Sequence, residues 1–428
     1  MSGNLLPLIE RIYRTNRVFC SSDYDACVEQ LARVLPFETR RFSADKSPLH
    51  GWEIPPKWDV IQADIHHNGN LVWDGTQHPL GVIALSAPFE GTVSREELQD
   101  HLYTVDADYK NPGAIPFHFR QQYRPWDRDW GFCVPRSIVD ALEPGEYDVV
   151  IRTEESAGYL DVLEYTHTGE TDITFAFVAH LDHPGMANDD LAGCAAGIEL
   201  FRRLQDRHTT FSYRLILLQE IIASEYYLHA LPDDDLDLIV GSLFLEMLGS
   251  DTPLALQASA SGKSVVDRAV EESLKAEGVD YRTGPFRSII GNDEIIWEAY
   301  GVPMPSLSRF PYPEYHTSDD NPEIISPESL ESAVRVLEQT IGRLENQPIV
   351  RKNFRGVPAT SHPSYDLYVD TWGSDDPETH ALRRVMDYLP MAPKVVSTAV
   401  IQNQCDVEPD ILLPYLERWA QTGLIDLI

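Results

Sequence analysis

Two histidines and three aspartates fall between positions 180 and 190, in the run HLDHPGMANDD. Neutral imidazole nitrogen and carboxylate oxygen are the donors that hold zinc in an open, catalytic site. The run follows an apolar, strand-like segment, ITFAFVA at 173–179, and leads into a small-residue helical pattern beginning near Leu191. A strand ending in such groups delivers them to its C-terminal edge, where open α/β sheets keep their ligand sites. The lesser alternative for His180, Asp182, His183, Asp189 and Asp190 is a solvated acidic loop with two surface histidines. The pattern recurs, however. YRLILL at 213–218 ends in Gln219-Glu220, LIVGSLFL at 238–245 ends in Glu246, and the turn-rich PYPEYHTSDDN at 311–321 carries His316. Three strand ends and one loop each offer a ligand or an acid/base group.

The elements that must position these groups are legible as periodicities. Residues 1–48 read as helical, with an amphipathic helix at 5–13 and a second at 25–35. From Gly51 the texture changes to short alternating segments such as WDVIQADIHHNG, NLVWDG and LGVIALSAP, parted by Asn-Gly and Asp-Gly turns, a hairpin signature. This β-rich insertion is expected over 49–136. Strand and helix patterns then alternate from 137 to 346, which predicts an α/β domain with a mostly parallel sheet and covering helices. The stretch after Asn346, QPIVRKNFRGVPATSHPSYD, reads as a linker. Beyond it, 360–428 carries helical patterns at 380–388, 395–402 and 409–421, with LIDLI as a terminal strand. Helix, helix, helix, strand resembles a winged helix.

Length and charge bound the function. At 428 residues the chain can fill two or three domains. Its formal charge of −34 sets it against nucleic acid or an anionic membrane as a partner, because phosphate binding needs the opposite sign. The helix pattern at 409–421 carries one arginine among acids, so a docking or homo-oligomer contact is expected of the C-terminal module rather than DNA reading. No apolar run approaches the ~20 residues needed to cross a bilayer. The N-terminal residues lack the apolar core of a secretion signal. The five cysteines are scattered with no CxxC, as expected of reduced thiols in a cytoplasmic protein.

The segments VAHLDHPGMANDDLAG, LLQE, FLEMLGS and EYHTSDDN resemble, in order, the metal-site blocks of the M28-type zinc aminopeptidases. The resemblance implies a zinc-exopeptidase fold with His180 as a ligand oriented by Asp182, and Asp189 as a carboxylate able to bridge metals. It further implies Glu220 as general base, with Glu246 and His316 as ligands. The M28 pattern has a second acid beside the base, whereas Glu220 is followed by Ile221. The expectation is therefore one well-held zinc, with a second left open unless Glu225 or another group substitutes. A closer resemblance runs through GWEIPPKWDV, EELQDHLYTVDAD, WGFC, the HP-x-x-AND run at 183–189 and PEYHTS. It is to an aminopeptidase-like family of DUF4910/DUF2172 type, whose members join the catalytic domain to an inserted β domain and a winged-helix-like domain. M28 spacing selects His180 as ligand and the His-Pro signature selects His183, so both stand as candidates.

The activity implied is hydrolysis of an N-terminal residue, or a related amide, from a small peptide or metabolite. Alternatives are a deacylase or amidase of a biosynthetic pathway, and a metal-binding scaffold without catalysis. Asp293 and Glu294 in GNDEIIW are candidates to hold a substrate ammonium, or are simply acids at a helix N-terminus. Arg309 and Tyr315 flank the His316 loop as candidates for a substrate carboxylate or an oxyanion.

Overall fold

A computed structural model describes residues 6–428. The expected first helix spans Leu6–Ile12, and its anticipated start at Leu5 lies outside the described residues. At the centre is an eight-stranded sheet. In chain order its strands are β1 (Glu38–Ser43), β2 (Tyr159–His167), β3 (Thr174–His180), β4 (Ser212–Leu218), β5 (Ile239–Glu246), β6 (Leu254–Gln257), β7 (Tyr281–Gly284) and β8 (Ser306–Ser308). Their spatial order is β1-β2-β4-β3-β5-β8-β6-β7. The four central strands, β4, β3, β5 and β8, run parallel, while β1, β2 and β6 join antiparallel. Mostly parallel thus describes the middle of the sheet and not its flanks.

The parallel strands are covered on both faces, which is why they read as unbroken apolar runs. Phe175, Phe177 and Ala179 of β3 face one cluster, shared with the helices Gly193–Leu204, Val265–Glu277 and Pro327–Leu344. Ala176 and Val178 face another, shared with Ile222–Ala230 and Glu294–Ala299. Side-chain alternation along one strand therefore feeds both halves of a three-layer sandwich.

Register sets the site. Leu218 lies opposite His180, and Glu246 opposite Ser308, so the parallel strands end level. The chain leaves β3 for β4 on one side and later returns to β5 on the other, which makes the end of β3 a topological switch point.

The inserted sheet is antiparallel, in the order Asn70–Asp74, Lys57–His67, Glu146–Ser156, Phe89–Ser94. Its strand Glu146–Ser156 lies beyond the boundary at 136 expected from sequence. YDVVIRTEES alternates as any half-buried strand does, and alternation names a face without naming a partner sheet. At the C-terminus, Ile349–Lys352 lies between Val395–Ser397 and Ile425–Leu427 in a three-stranded antiparallel sheet. Residues read as a linker are thus its central strand, because two apolar positions between Pro348 and Arg351 give too short a pattern to see. Helices Pro377–Tyr388, Thr398–Cys405 and Pro409–Gln421 close a separate hydrophobic cluster around Trp419.

Candidate metal centre

His180 ends β3, Glu246 ends β5, and Glu220 follows β4 by two residues, so level strand ends bring all three to one edge. Asp189 lies between them and divides its two oxygens. Oδ1 is 3.1 Å from His180 Nε2, while Oδ2 is 3.1 Å from His183 Nδ1 and 3.1 Å from His316 Nε2. Glu246 Oε1 is 4.0 Å from His180 Nε2, and Glu220 Oε1 is 3.3 Å from His183 Nε2. Both histidines therefore reach Asp189, on different oxygens.

These contacts are close but poorly directed. His180 Nδ1 and Nε2, His183 Nδ1 and Nε2, His316 Nε2, Asp189 Oδ2 and Glu246 Oε2 are buried with no hydrogen-bond partner. Buried polar atoms are ordinarily paired, and leaving several unpaired in one place is costly. Imidazole lone pairs and a carboxylate converging without N–H directions between them fit a divalent cation as the common partner. The compact donor sets are His183–Asp189–His316 and His180–Asp182–His183.

The surrounding chain is built to hold this arrangement. Asp320 accepts from the backbone N–H groups of Ala187, Asn188 and Asp189 at 3.1, 2.6 and 3.1 Å, and from the Tyr312 hydroxyl at 2.6 Å. Asp190 turns away from the site and accepts from the backbone of Gly193 and Met247 at 2.9 and 2.8 Å. A Cβ on Gly193 would lie 2.4 Å from Asp190 Oδ1, so only glycine opens the helix there. Asp182 Oδ1 accepts from Glu220 N at 2.9 Å and lies 3.5 Å from His180 Nδ1, linking the Glu220 backbone to the His180 imidazole. His183 has φ +82°, an uncommon conformation for a side-chain-bearing residue. The buried Arg17 guanidinium braces it by donating to the carbonyls of Leu181, His183 and Met186 at 3.0, 2.7 and 2.8 Å.

Electrostatics follow from four acids and three imidazoles brought together below the surface. Burial would raise Asp189, but His183, His180 and His316 outweigh it and hold that carboxyl well below its usual range. The same balance brings Glu220 down to about 2, where His183 supplies most of the opposing pull. Glu246 goes the other way, raised well above its ordinary value by burial and the nearby charge of Glu294. Asp189 and Glu220 are thus kept as anions.

Three sequence candidates for substrate contact are placed otherwise. Asp293 is fully buried, accepts from Ile221 N at 3.0 Å and takes the Ser224 hydroxyl. Glu294 accepts from Gln257 and the backbone of Asn292 at 3.0 and 2.8 Å. Arg309 donates to the carbonyls of Leu248, Thr252 and Ser329. All three are committed to internal partners, a use that residue type alone does not reveal. Tyr315 does reach the site, stacked on His316 with ring centroids 3.8 Å apart. Residues without any signal in the sequence also arrive. Asn292 donates to Glu246 at 3.0 Å, the rings of Phe117 and Phe119 stand edge-on to His316, and the Tyr123 hydroxyl donates to Glu220.

Known proteins share this architecture. Residues 6–347 match the family described as a domain of unknown function, DUF4910. A Clostridium acetobutylicum protein, whose provisional name couples polysaccharide biosynthesis to an aminopeptidase-like domain, is 26% identical over 349 residues, or 80% of this chain and 78% of its own. A crystal structure from the same organism, provisionally named a peptidase, has a TM-score of 0.75 at 23% identity, covering 100% of this chain and 96% of that one. A zinc aminopeptidase from Bacillus subtilis has a TM-score of 0.59 at 14% identity, covering 79% of this chain and 94% of that one. A Shewanella amazonensis M28 peptidase precursor has a TM-score of 0.55 at 14% identity, covering 79% and 92%. At such identities the likeness is one of fold, and with the match over 6–347 it leads to one conclusion: the chain belongs to the DUF4910 family and has an aminopeptidase-like α/β fold.

Proposed function

We propose that this protein is a zinc-dependent hydrolase that cleaves a peptide or amide bond, releasing an N-terminal residue from a small peptide or metabolite conjugate. The observation that carries the reading is the convergence of His180, His183, His316 and Glu246 around Asp189, with the ionised Glu220 on the same sheet edge. Asp189 Oδ2, His183 and His316 would hold the well-bound zinc, being the compact set that includes Asp189; Asp189 Oδ1, His180 and Glu246 offer a second position. Zinc bound there would polarise the scissile carbonyl and lower the pKa of water toward neutrality. Glu220 takes the proton of the attacking water and later delivers it to the leaving amine. Asp182 fixes the backbone from which Glu220 projects. Tyr315, stacked on His316, is the candidate donor to the developing oxyanion.

Within this class a deacylase or amidase is the second reading. It is favoured by the internal commitment of Asp293 and Glu294, which leaves neither to hold a free ammonium group. The polysaccharide-biosynthesis part of the Clostridium relative's name supports a biosynthetic setting for that reading. The cysteines are all free and buried, which supports a cytoplasmic setting. Among the described residues no helix is long and apolar enough to cross a membrane. The element order of 349–427 supports a winged-helix-like module, used for docking or homo-oligomer contact rather than for nucleic acid.

The test joins elemental analysis to a screen of aminoacyl amides and acylated metabolites. Roughly one zinc per chain and turnover of at least one amide are expected. Glu220→Gln should keep the zinc and lose about 10²–10⁴-fold in rate. Turnover that survives Glu220→Gln would refute the assignment.

A further inference from the structure

The inserted region is more than a neighbour of the metal centre. Its turn Arg120–Tyr123 carries Tyr123 to the edge of the main sheet, where the phenol donates to Glu220 Oε1. The ring is wedged edge-on against Phe19 and Trp52, at centroid distances of 5.0 and 6.5 Å. Around it the backbone is tied on both sides. Phe19 N donates to Gln122 Oε1 at 3.0 Å, and Gln219 Nε2 donates to Phe19 O at 2.9 Å. The backbone of this one residue thereby joins the position before Tyr123 to the position before Glu220. A second tie runs to the ligand loop: Phe117 N donates to His316 O at 2.9 Å, and Ser318 N to Ile115 O at 2.8 Å. The insertion grips the base and a metal-ligand loop together.

We infer that Tyr123, supplied by the inserted region, is a positioning residue for Glu220, its hydroxyl holding Oε1 so that Oε2 is the oxygen presented to the attacking water. The inference rests on the reading of Glu220 as general base. Tyr123 and His183 both approach Oε1, which removes rotation of the carboxylate as a freedom the reaction must otherwise overcome. Buried beside Glu220 and Asp182, the phenol is raised well above its usual value and stays a donor. Because Tyr123 lies 97 residues before Glu220 and across a domain boundary, seating the insertion completes the catalytic geometry.

Fluorine NMR of the full chain labelled with 3-fluorotyrosine reads the contact without any turnover. The resonance lost in Tyr123→Phe identifies the residue, and that same resonance should move in Glu220→Gln. Kinetics on aminoacyl p-nitroanilides read the role. Tyr123→Phe should lower kcat about 10–100-fold, the worth of one hydrogen bond to a charged group, with KM changed less than about twofold and zinc content unchanged. Adding Tyr123→Phe to Glu220→Gln should cost nothing further, since the two act as a unit. A resonance indifferent to Glu220→Gln, an unchanged kcat, or an additive loss in the double variant would each overturn the inference. A wild-type chain that hydrolyses no amide would instead sink the hydrolase reading, while the fluorine shift still decides the contact.

Discussion

Asp189 is the residue on which the candidate metal centre turns, because its two oxygens face different imidazoles. A carboxylate in that position both supplies ligands and sets the charge that a cation must balance. Replacing it with alanine removes the carboxylate that reaches all three of His180, His183 and His316. Asp189→Ala should therefore reduce zinc well below one per chain after purification, measured by elemental analysis, with the fold retained by circular dichroism. Full zinc retention would place the metal elsewhere. The proximity of such residues was legible in the sequence where chemistry and position coincide. His180, His183, Asp189, Glu220, Glu246 and His316 stand in or after apolar strands or in a turn-rich loop, and the structure brings them to one edge. Asp293, Glu294 and Arg309 have equally suggestive types, but whether a charged group is free or spent on a backbone N–H or carbonyl is decided by packing. Tyr123 had no signal, since nothing in a Gln-Gln-Tyr turn names a partner 97 residues away.

At the scale of elements, the central strands were legible because burial on both faces writes itself as a continuous apolar run. Strand partnership was not, and so Glu146–Ser156 and Ile349–Lys352 belong to sheets that their local patterns do not identify. The loop after β3 shows a further dependence hidden from periodicity. Its backbone carbonyls are satisfied by Arg17, a residue of the N-terminal segment to which the sequence pattern assigns no role. Arg17 is wholly buried, and burial pulls its pKa down from the ordinary guanidinium value against the raising effect of nearby acids. A lysine carries one nitrogen in place of a planar fork and cannot span three carbonyls at once. Arg17→Lys should lower the melting temperature, with each lost charge-assisted bond worth about 1.5–3 kcal/mol. It should also weaken zinc retention, because the constrained backbone of His183 loses its brace. Thermal melts paired with dialysis against a chelator check both effects. A variant that melts lower yet holds zinc as tightly as the wild type would show that Arg17 supports the fold alone.

Across the whole molecule, three hydrophobic clusters serve the α/β domain and the insertion, and a fourth serves the C-terminal module. The fourth is not isolated, because Ile349 and Val395 at its near edge pack into the main core. Removing 349–428 would bare the apolar surface they cover. The truncated chain is expected to associate or lose solubility, seen by size-exclusion chromatography with light scattering, while the metal donors stay in place on the retained sheet. Nucleic acid is a poor candidate to cover the module's outer face. The helix Pro409–Gln421 has a single arginine with two acids, and the whole chain carries a formal charge of −34. Facing a polyanion, that charge repels beyond contact range and only salt screens it. No duplex DNA retention is expected in a mobility-shift assay at physiological salt, and lowering the salt should not rescue it, since the charges repel more strongly as screening falls. Binding that strengthened at low salt would mean that a local basic surface overrides the net charge, and the module would have to be read as a nucleic-acid contact. A truncation that stayed monomeric, soluble and as stable as the full chain would likewise exclude its structural role against the main α/β domain.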